Sequence, residues 1–478
     1  MLRRPPFSGR VHGAGPRRPH VRRRLAPVWG VVLATTVVVP AMVAAPAGPA
    51  AAGSLTNWTT YHGDPLSTGV SPSTATFTNP TRAWTSPVLD GQLFGEPLVL
   101  GSLVLVATEN DTVYALNASD GTVAWSTSVG TAVPATSLPC GDISPTVGIT
   151  STPVIDAARS EVFVVADELS GATITHHLVG LGTAAGNVLL DEVVDPPGTT
   201  TAAQLQRPAL ALDQGAVLVA FGGNAGDCST YHGWLVSAPE TGASPTDFEV
   251  DASLGNHEGA IWMGGASPVV DPGGNIWVTT GNGSNTSGAS PDGSDSVIEL
   301  SPALHVLQSF TPSTWQNDNA VDADLGSSAP AILGNGLVFQ AGKSRTAYVL
   351  NAFNLGGVGH QVSLKRSFCG STVDGGVAVT STALYIPCLK GLQAVRITPH
   401  DAVHVMWRTR TGSTGPAIVA GGLVWTLHRD GVLYGLREKN GRVAVQLTVG
   451  APANHFPTPS VGAGLLLAAS ADRVVAFH

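Results

Sequence analysis

Cysteine is the residue type whose chemistry this sequence indicates most directly. The chain has four cysteines, and an even number in an exported protein favours two disulfide bonds. Cys369 and Cys388 flank a predicted hairpin, so we expect them to pair, and Cys140 would then pair with Cys228. None of the spacings is that of a zinc site. The sequence therefore predicts structural cross-links.

Other motifs that carry chemistry are missing from the sequence. The 14 histidines show no metal-ligand pairing at helix or strand spacing. The chain contains neither a Gly-x-Ser-x-Gly nucleophile motif nor a phosphate-binding loop. Two polar segments remain: residues 281–295, predicted to form a long loop between strands, and the acidic residues 317–324, predicted to line a pocket on a loop face. Their position depends on the elements around them.

An export signal is predicted over residues 1–52. Residues 1–24 carry eight arginines and no acid, an apolar run extends from Leu25 to about Ala45, and small residues lead to Ala52. We expect cleavage after Ala52. The alternative is an uncleaved anchor, because the apolar run approaches the roughly 20 residues that a membrane span needs. The chain is then secreted or associated with the cell wall, with membrane contact only through an uncleaved signal.

The charge of the exported chain limits its partners. Without the eight signal arginines, 16 basic residues remain against 33 acidic ones, a net charge of about −17. A surface of this sign argues against nucleic acid and anionic lipid as partners.

A repeat of about 52 residues runs from about residue 90 to the C-terminus. Each copy begins with a proline or a small residue and an alternating apolar strand, and proline is tolerated at the first residue of a strand. A double-length gap between two of these prolines contains a copy without one, at residues 377–386. The opening prolines are Pro97, Pro153, Pro208, Pro268, Pro330, Pro416 and Pro459. Eight such copies predict an all-β fold, a single eight-bladed β-propeller of four-stranded antiparallel blades.

The two ends of the repeat region predict how the ring closes. The last copy ends at His478, one strand short of a full blade, and residues 82–85 upstream of the first copy have the pattern of an outer strand. We predict that this N-terminal strand completes the last blade, which removes exposed sheet edges. The predicted divisions are a signal at 1–52, a lead-in segment at 53–77 and the propeller at 78–478.

The segment from Val113 to Trp125, VYALNASDGTVAW, resembles the tryptophan-docking repeat of the quinoprotein alcohol dehydrogenase superfamily. That superfamily includes dehydrogenases with eight blades that use pyrroloquinoline quinone (PQQ), and non-catalytic relatives such as the BamB-like outer-membrane assembly lipoproteins. The resemblance covers about residues 78–478. It implies the propeller fold and leaves open whether the chain is an enzyme.

Five residues match positions that the resemblance associates with the dehydrogenase site. Trp262 ends a Gly-x-x-Trp segment whose indole floors the quinone in the family, and Asn282 ends a Thr-Gly-Asn turn that offers an oxygen to calcium. Asp324 falls where the family has its catalytic aspartate, and Lys343 where it has a basic residue. Asp227, after a one-residue shift, falls where the family has an acidic calcium ligand. The resemblance thus implies PQQ contacts at Trp262 and Lys343, calcium ligands at Asn282, Asp324 and Asp227, and catalysis by Asp324.

The chemistry that these residues would support is oxidation of an alcohol or a sugar. Calcium takes hard oxygen ligands and would polarise a quinone carbonyl. Asp324 would act as general base, removing the alcohol proton as hydride passes to the quinone.

The sequence also departs from the dehydrogenase pattern. No two cysteines are adjacent, so the Cys-Cys pair that caps the quinone in many of these enzymes is absent. Residues 141–150 lack the arginine expected to hold a quinone carboxylate, and Arg207 stands where a small hydroxyl residue is usual. The chain has no Cys-x-x-Cys-His motif for haem attachment.

Two hypotheses follow from these matches and departures. The first is a non-catalytic binding or scaffold module that uses its loop face to bind a protein or a glycan. The second is a secreted dehydrogenase that depends on PQQ and calcium. The second requires Trp262, Asn282, Asp324 and Lys343 to converge on one cavity at the channel mouth.

Overall fold

The structure, a computed structural model, describes residues 56–478 except 74, 253–254, 410–411 and 413. The predicted export signal lies outside the described residues. Nearly all regular structure is β-strand, and α1 (Trp315–Ala320) is a short helix between two blades. No helix in the described part of the chain is long and apolar enough to cross a membrane.

The strands form eight consecutive four-stranded antiparallel blades. Strand β1 (Arg82–Thr85) comes first, and blade 1 comprises β2 (Leu98–Leu100), β3 (Leu103–Ala107), β4 (Thr112–Asn117) and β5 (Val123–Ser128). A short pair follows, β6 (Val133–Pro134) with β7 (Thr146–Val147). Blade 2 comprises β8 (Val154–Asp156), β9 (Glu161–Ser170), β10 (Thr173–Gly182) and β11 (Val188–Val193). Blade 3 comprises β12 (Gln204–Leu205), β13 (Ala211–Asp213), β14 (Ala216–Gly223), β15 (Trp234–Pro239) and β16 (Thr246–Glu249), where β12 is an additional strand beside β14.

The second half of the ring repeats this order. Blade 4 comprises β17 (Val269–Val270), β18 (Ile276–Thr279), β19 (Val297–Leu300) and β20 (Val306–Thr311). Blade 5 comprises β21 (Ala331–Leu333), β22 (Leu337–Ala341), β23 (Ala347–Asn351) and β25 (Ser363–Lys365), while β24 (Gly357–Val358) pairs with β20 of blade 4. Blade 6 comprises β26 (Ala378–Val379), β27 (Leu384–Cys388), β28 (Gly391–Ile397) and β29 (Val403–Arg408). Blade 7 comprises β30 (Thr414–Ala420), β31 (Leu423–His428), β32 (Val432–Arg437) and β33 (Val443–Thr448), and blade 8 comprises β34 (Ser460–Gly462), β35 (Leu465–Ser470), β36 (Arg473–Phe477) and β1.

The predicted eight-bladed fold and its closure are confirmed. The opening prolines lie shortly before the innermost strand of a blade, or within it at Pro416, and the proline-free copy provides β26. Strand β1 pairs antiparallel with β36, with Arg82 opposite Phe477. The N-terminal strand therefore completes the last blade and covers the outer side of β36.

Tryptophans of three outer strands, Trp84, Trp125 and Trp407, each dock one blade onto the next. The Trp125 indole donates a hydrogen bond to the Thr183 carbonyl oxygen at 2.8 Å and covers Gly186 of the following blade. Trp84 of β1 does the same to blade 1, donating to Ala118. Gly186 has φ +70°, and a Cβ there would collide with the indole, so the turn requires glycine for both reasons.

The lead-in segment packs against the innermost strands. Trp58 bridges to Val99 of blade 1, and Val70 bridges to Val419 of blade 7. The Trp58 indole donates to the buried Glu96 carboxylate at 2.8 Å. Asn57 accepts a hydrogen bond from the amide of Gly101, in the turn that follows β2. Asn57 therefore lies at the channel end where the innermost strands finish, and Trp58 reaches back to the residues that precede β2.

Both predicted disulfides are present. Cys140 is bonded to Cys228 and Cys369 to Cys388, with Cα–Cα distances of 6.1 and 5.8 Å. The first bond joins two loops, and the second joins the loop before β26 to the last residue of β27.

Candidate functional site

Two sets of loops at the other end of the channel enclose a cavity of about 490 Å³. One set precedes the innermost strands, and the other follows the second strand of each blade. The preceding loops contribute Phe94, Arg207, Trp262, Asp324 and Phe456. The following loops contribute Asp227, Asn282 and Lys343. All five residues that the resemblance implied therefore line one cavity, although they come from separate parts of three blades.

Asp324 is the buried acid of the cavity. Its Oδ1 accepts the backbone N–H of Asn282 at 2.6 Å, and its Oδ2 lies 2.6 Å from Lys343 Nζ. Side chains at Gly281 or Gly342 would clash with Asp324 atoms. These two glycines therefore allow the chains after β18 and β22 to approach the aspartate closely.

Lys343 is a cation held between two carboxylates. Its Nζ also lies 2.6 Å from Asp322 Oδ1, and it stands 5.3 Å from the centre of the Trp262 ring system. Burial disfavours the charged ammonium, but the carboxylates of Asp324 and Asp322 together outweigh it, so the pKa of Lys343 lies above its ordinary value. Burial likewise raises the pKa of Asp324, while Lys343 opposes that rise. The contact between the two groups therefore favours the charged form of each.

Aromatic side chains form a second part of the wall. The rings of Trp262 and Phe456 have centroids 6.0 Å apart and planes inclined by 53°. Two rings in this tilted arrangement offer apolar faces to a flat ligand.

Glu258 belongs to the acidic side of the same site, although sequence reasoning did not single it out. Its Oε2 lies 3.4 Å from Asn282 Nδ2, which donates to it. Burial, followed by the charges of Asp227 and Asp324, raises the pKa of Glu258 to about 7. This side of the cavity therefore gains negative charge as the pH rises through neutrality.

Comparisons with known proteins agree with this architecture. The family model described as outer membrane protein assembly factor BamB matches residues 79–243. The fold is similar to a quinohemoprotein alcohol dehydrogenase from Comamonas testosteroni, with 14% identity, coverage of 88% of this chain and 80% of that chain, and a TM-score of 0.67. It is also similar to BamB from Moraxella catarrhalis, with 14% identity, coverage of 84% and 99%, and a TM-score of 0.56. The chain has the β-propeller fold of these proteins. No curated protein sequence matches it.

The walls of this cavity fit a planar ring better than they fit calcium. Both oxygens of Asp324 already have partners, and Asp227 Oδ1 accepts the Tyr231 hydroxyl at 2.8 Å. Among the described residues, one group of three possible metal-binding side chains has its ligand atoms within 4.8 Å of one another. The group is His232, Glu249 and Asp251, and it lies outside this cavity. In this arrangement the predicted ligands do not fit a calcium ion. Calcium ligation by Asn282, Asp324 and Asp227 stays a prediction from the resemblance, and no step below depends on it.

Arg207 is the cavity residue whose role sequence reasoning missed. The sequence marked it only as a departure from the dehydrogenase pattern, yet its guanidinium carbon lies 5.5 Å from the Phe94 ring centre and 5.1 Å from that of Phe456. Burial lowers the pKa of Arg207 below its ordinary value. The available signal was its place directly before the opening proline Pro208, where most copies have a small residue.

Proposed function

We propose that the chain is an exported, non-catalytic binding propeller whose loop-face cavity holds a small ring-containing organic molecule. The observation that carries this proposal is the convergence of Trp262, Phe456, Asp324 and Lys343 on one cavity of about 490 Å³. A volume of this size suits a small organic molecule. The two disulfides support export, because such bonds persist in oxidising compartments.

The walls indicate how a ring would be held. Trp262 and Phe456 provide apolar faces, and the Lys343 ammonium lies between the indole and two carboxylates. Lys343 is already paired with Asp322 and Asp324. Its charge therefore orients polar groups of a ligand without requiring that the ligand be an anion. Binding without turnover then needs no metal and no electron acceptor.

A PQQ-dependent dehydrogenase is the second candidate function, favoured by one specific observation. Trp262, Asn282, Asp324 and Lys343, which that activity requires together, all line the cavity. When bound, PQQ would supply a hydride acceptor. Asp324 would accept the proton of an alcohol, and Lys343 would keep its carboxylate ionised. The poor fit for calcium is why this function is ranked second.

Ligand-observed NMR with a library of ring-containing fragments tests the first function. We expect fragments to bind the purified protein, to compete for one site, and to lose binding in Trp262→Leu. The control Asp247→Asn changes an exposed acid on the outer strand β16 and should leave binding unchanged. Fragment binding that is insensitive to Trp262→Leu would contradict the proposal.

Calorimetric titration with PQQ, with and without calcium, separates the two functions. Saturable binding followed by reduction of a dye when an alcohol or a sugar is added would favour the dehydrogenase, provided that Asp324→Asn abolishes dye reduction. Fragment binding without dye reduction would favour the binding protein.

A further inference from the structure

The guanidinium of Arg207 is a cation without an anionic partner in the wall of the cavity. Within the described residues it takes part in no ion pair closer than 4 Å and in no hydrogen bond that meets ordinary geometry. The other charged groups beside it are differently placed: Lys343 is paired with Asp322 and Asp324, and His455 lies 3.3 Å from Asp142. Arg207 is therefore a cation of this wall that no carboxylate contacts directly, although Glu109 and Asp142 act on it from a greater distance.

The surroundings of Arg207 make that charge unfavourable in the free protein. Its contacts are the rings of Phe94, which is 9% exposed, and Phe456, and its pKa is lowered by burial. A buried charge without a direct ion pair reduces stability, because its lost hydration is only partly replaced. Two cation–π contacts recover only part of that loss.

The backbone holds Arg207 in a defined position. The Gln206 side chain donates a hydrogen bond to the Pro208 carbonyl oxygen at 2.7 Å, so the residues on both sides of the arginine are fixed. A Cβ at Gly265 would lie 3.1 Å from Arg207 Nη1, and this glycine therefore leaves room for the guanidinium. A cation positioned by its neighbours is prepared for a ligand before the ligand arrives.

The geometry selects the chemical class of that ligand. The rings of Phe94 and Phe456 lie near the guanidinium, and its N–H donors remain available to the cavity. A carboxylate accepts two parallel hydrogen bonds from such a planar donor group. A single negative charge suits this cation, whereas a multiply charged anion would meet repulsion from Asp227 and Asp324, which line the same cavity.

We propose that Arg207, Phe94 and Phe456 form a carboxylate-binding subsite, and that the ligand of the cavity is an aromatic monocarboxylate. The carboxylate lies against Arg207, and the ring extends toward Trp262. This inference rests on the proposed function and names the ligand class for that same cavity. It assigns a role to the arginine that distinguishes this chain from the dehydrogenase pattern.

Two matched probes test the subsite, naphthalene-2-carboxylate and the neutral naphthalen-2-ylmethanol. Calorimetric titration of the purified protein is expected to show the carboxylate bound about 10- to 100-fold more tightly, the range that charge-assisted hydrogen bonds provide. Arg207→Gln should remove that difference. Arg207→Lys should retain part of it, because the ammonium keeps the charge and loses the planar pair of donors. Arg442→Gln, at an exposed arginine in a hairpin turn, is the control and should leave both affinities unchanged.

The outcomes distinguish this inference from the proposed function. Equal binding of the two probes to the wild-type protein would overturn the carboxylate subsite and leave a ring-binding cavity. Failure of both probes and of the fragment library would overturn both.

Thermal unfolding of the ligand-free protein provides a readout that needs no ligand. Arg207→Met removes a cation that has no direct ion pair and retains an apolar side chain between the rings of Phe94 and Phe456. We expect the Tm to rise by on the order of 2 °C, since residues kept for binding often reduce stability. A fall in the Tm would indicate a structural arginine and overturn the assignment.

Discussion

Lys343 is joined to Asp324 twice. Lys343 Nζ lies 2.6 Å from Asp324 Oδ2, and the backbone N–H of Lys343 donates to the Asp324 carbonyl oxygen at 2.7 Å. The main-chain bond places the loop after β22 against the segment before β21, and the side chains then meet beside the cavity. The contact between these two loops of blade 5 therefore fixes the position of Asp324 in the site.

Removal of the Lys343 ammonium is expected to destabilise the protein, because the buried Asp324 carboxylate loses its partner. The carboxylate side chain is 4% exposed, whereas that of Lys343 is 25% exposed. Lys343→Met should lower the free energy of unfolding by about 2–4 kcal/mol, because breaking a buried pair leaves an unpaired charge. Urea denaturation at pH 7 measures this loss, with exposed Lys439→Met as the control. The double variant Asp324→Asn/Lys343→Met should recover much of the loss, and additive losses would contradict the pairing.

Docking of tryptophan onto the turn glycine leads to a prediction with a matched control. A Cβ at Gly186, φ +70°, would lie 2.4 Å from Trp125 Cε3, whereas one at Gly171, φ +66°, would meet nothing within 4 Å. Gly171→Ala isolates the backbone strain and should cost about 1–2 kcal/mol. Gly186→Ala should cost about 2 kcal/mol more, because the indole must move. Equal losses in urea unfolding would contradict interblade docking at Trp125.

The periodic parts of this fold were predictable because each blade repeats the same local signals. The opening prolines mark innermost strands, and the Gly121-to-Trp125 spacing marks a turn followed by an outer strand. Closure by residues 82–85 followed from a simple count of strands. Each of these features depends on residues close together in the chain or on the number of strands, and both can be read from a sequence.

The parts that were missed occur once and depend on distant contacts. The contact of Trp58 with Glu96 has no periodic signal, because the lead-in segment belongs to no repeat. The five candidate site residues were found only through resemblance, and their convergence was visible only in the structure. In the sequence, Arg207 was only a departure from the dehydrogenase pattern. Its aromatic neighbours Phe94 and Phe456 lie 113 and 249 positions away in the chain, so their contact with Arg207 leaves no local signal.

Glu96 is expected to make the stability of the propeller depend on pH. Burial raises the pKa of this carboxyl from 4.5 to about 8, although His62 N–H and the Trp58 indole donate to it. The folded chain therefore holds this proton at pH values where the unfolded chain releases it, and stability falls as the pH rises from about 4.5 to 8. The Tm should decrease across this interval.

Glu96→Gln tests that origin, since an amide does not ionise. The variant should show a smaller decrease in Tm between pH 5 and pH 8. At pH 5 it should be less stable by about 1 kcal/mol, because the amide oxygen can replace one of the two acceptor oxygens and the NH₂ group accepts no hydrogen bond. Glu192→Gln, at an exposed position on β11, should keep the wild-type pH dependence. Parallel wild-type and Glu96→Gln curves would contradict the assignment.

The two disulfides should differ in how much they stabilise the chain. Cys140 and Cys228 are 88 positions apart, and Cys369 and Cys388 are 19 apart. If cross-links act mainly by restricting the unfolded chain, the longer loop is worth about 4–5 kcal/mol and the shorter one about 3 kcal/mol. Each bond can be measured alone, because reduction of a Cys369→Ala/Cys388→Ala variant breaks only the long-range bond, and the converse variant isolates the short-range one. Urea unfolding of each variant with and without reductant gives the two differences at constant side-chain composition. A larger effect for the short-range bond would mean that native contacts around the buried Cys369 and Cys388, rather than chain entropy, determine what the cross-link contributes.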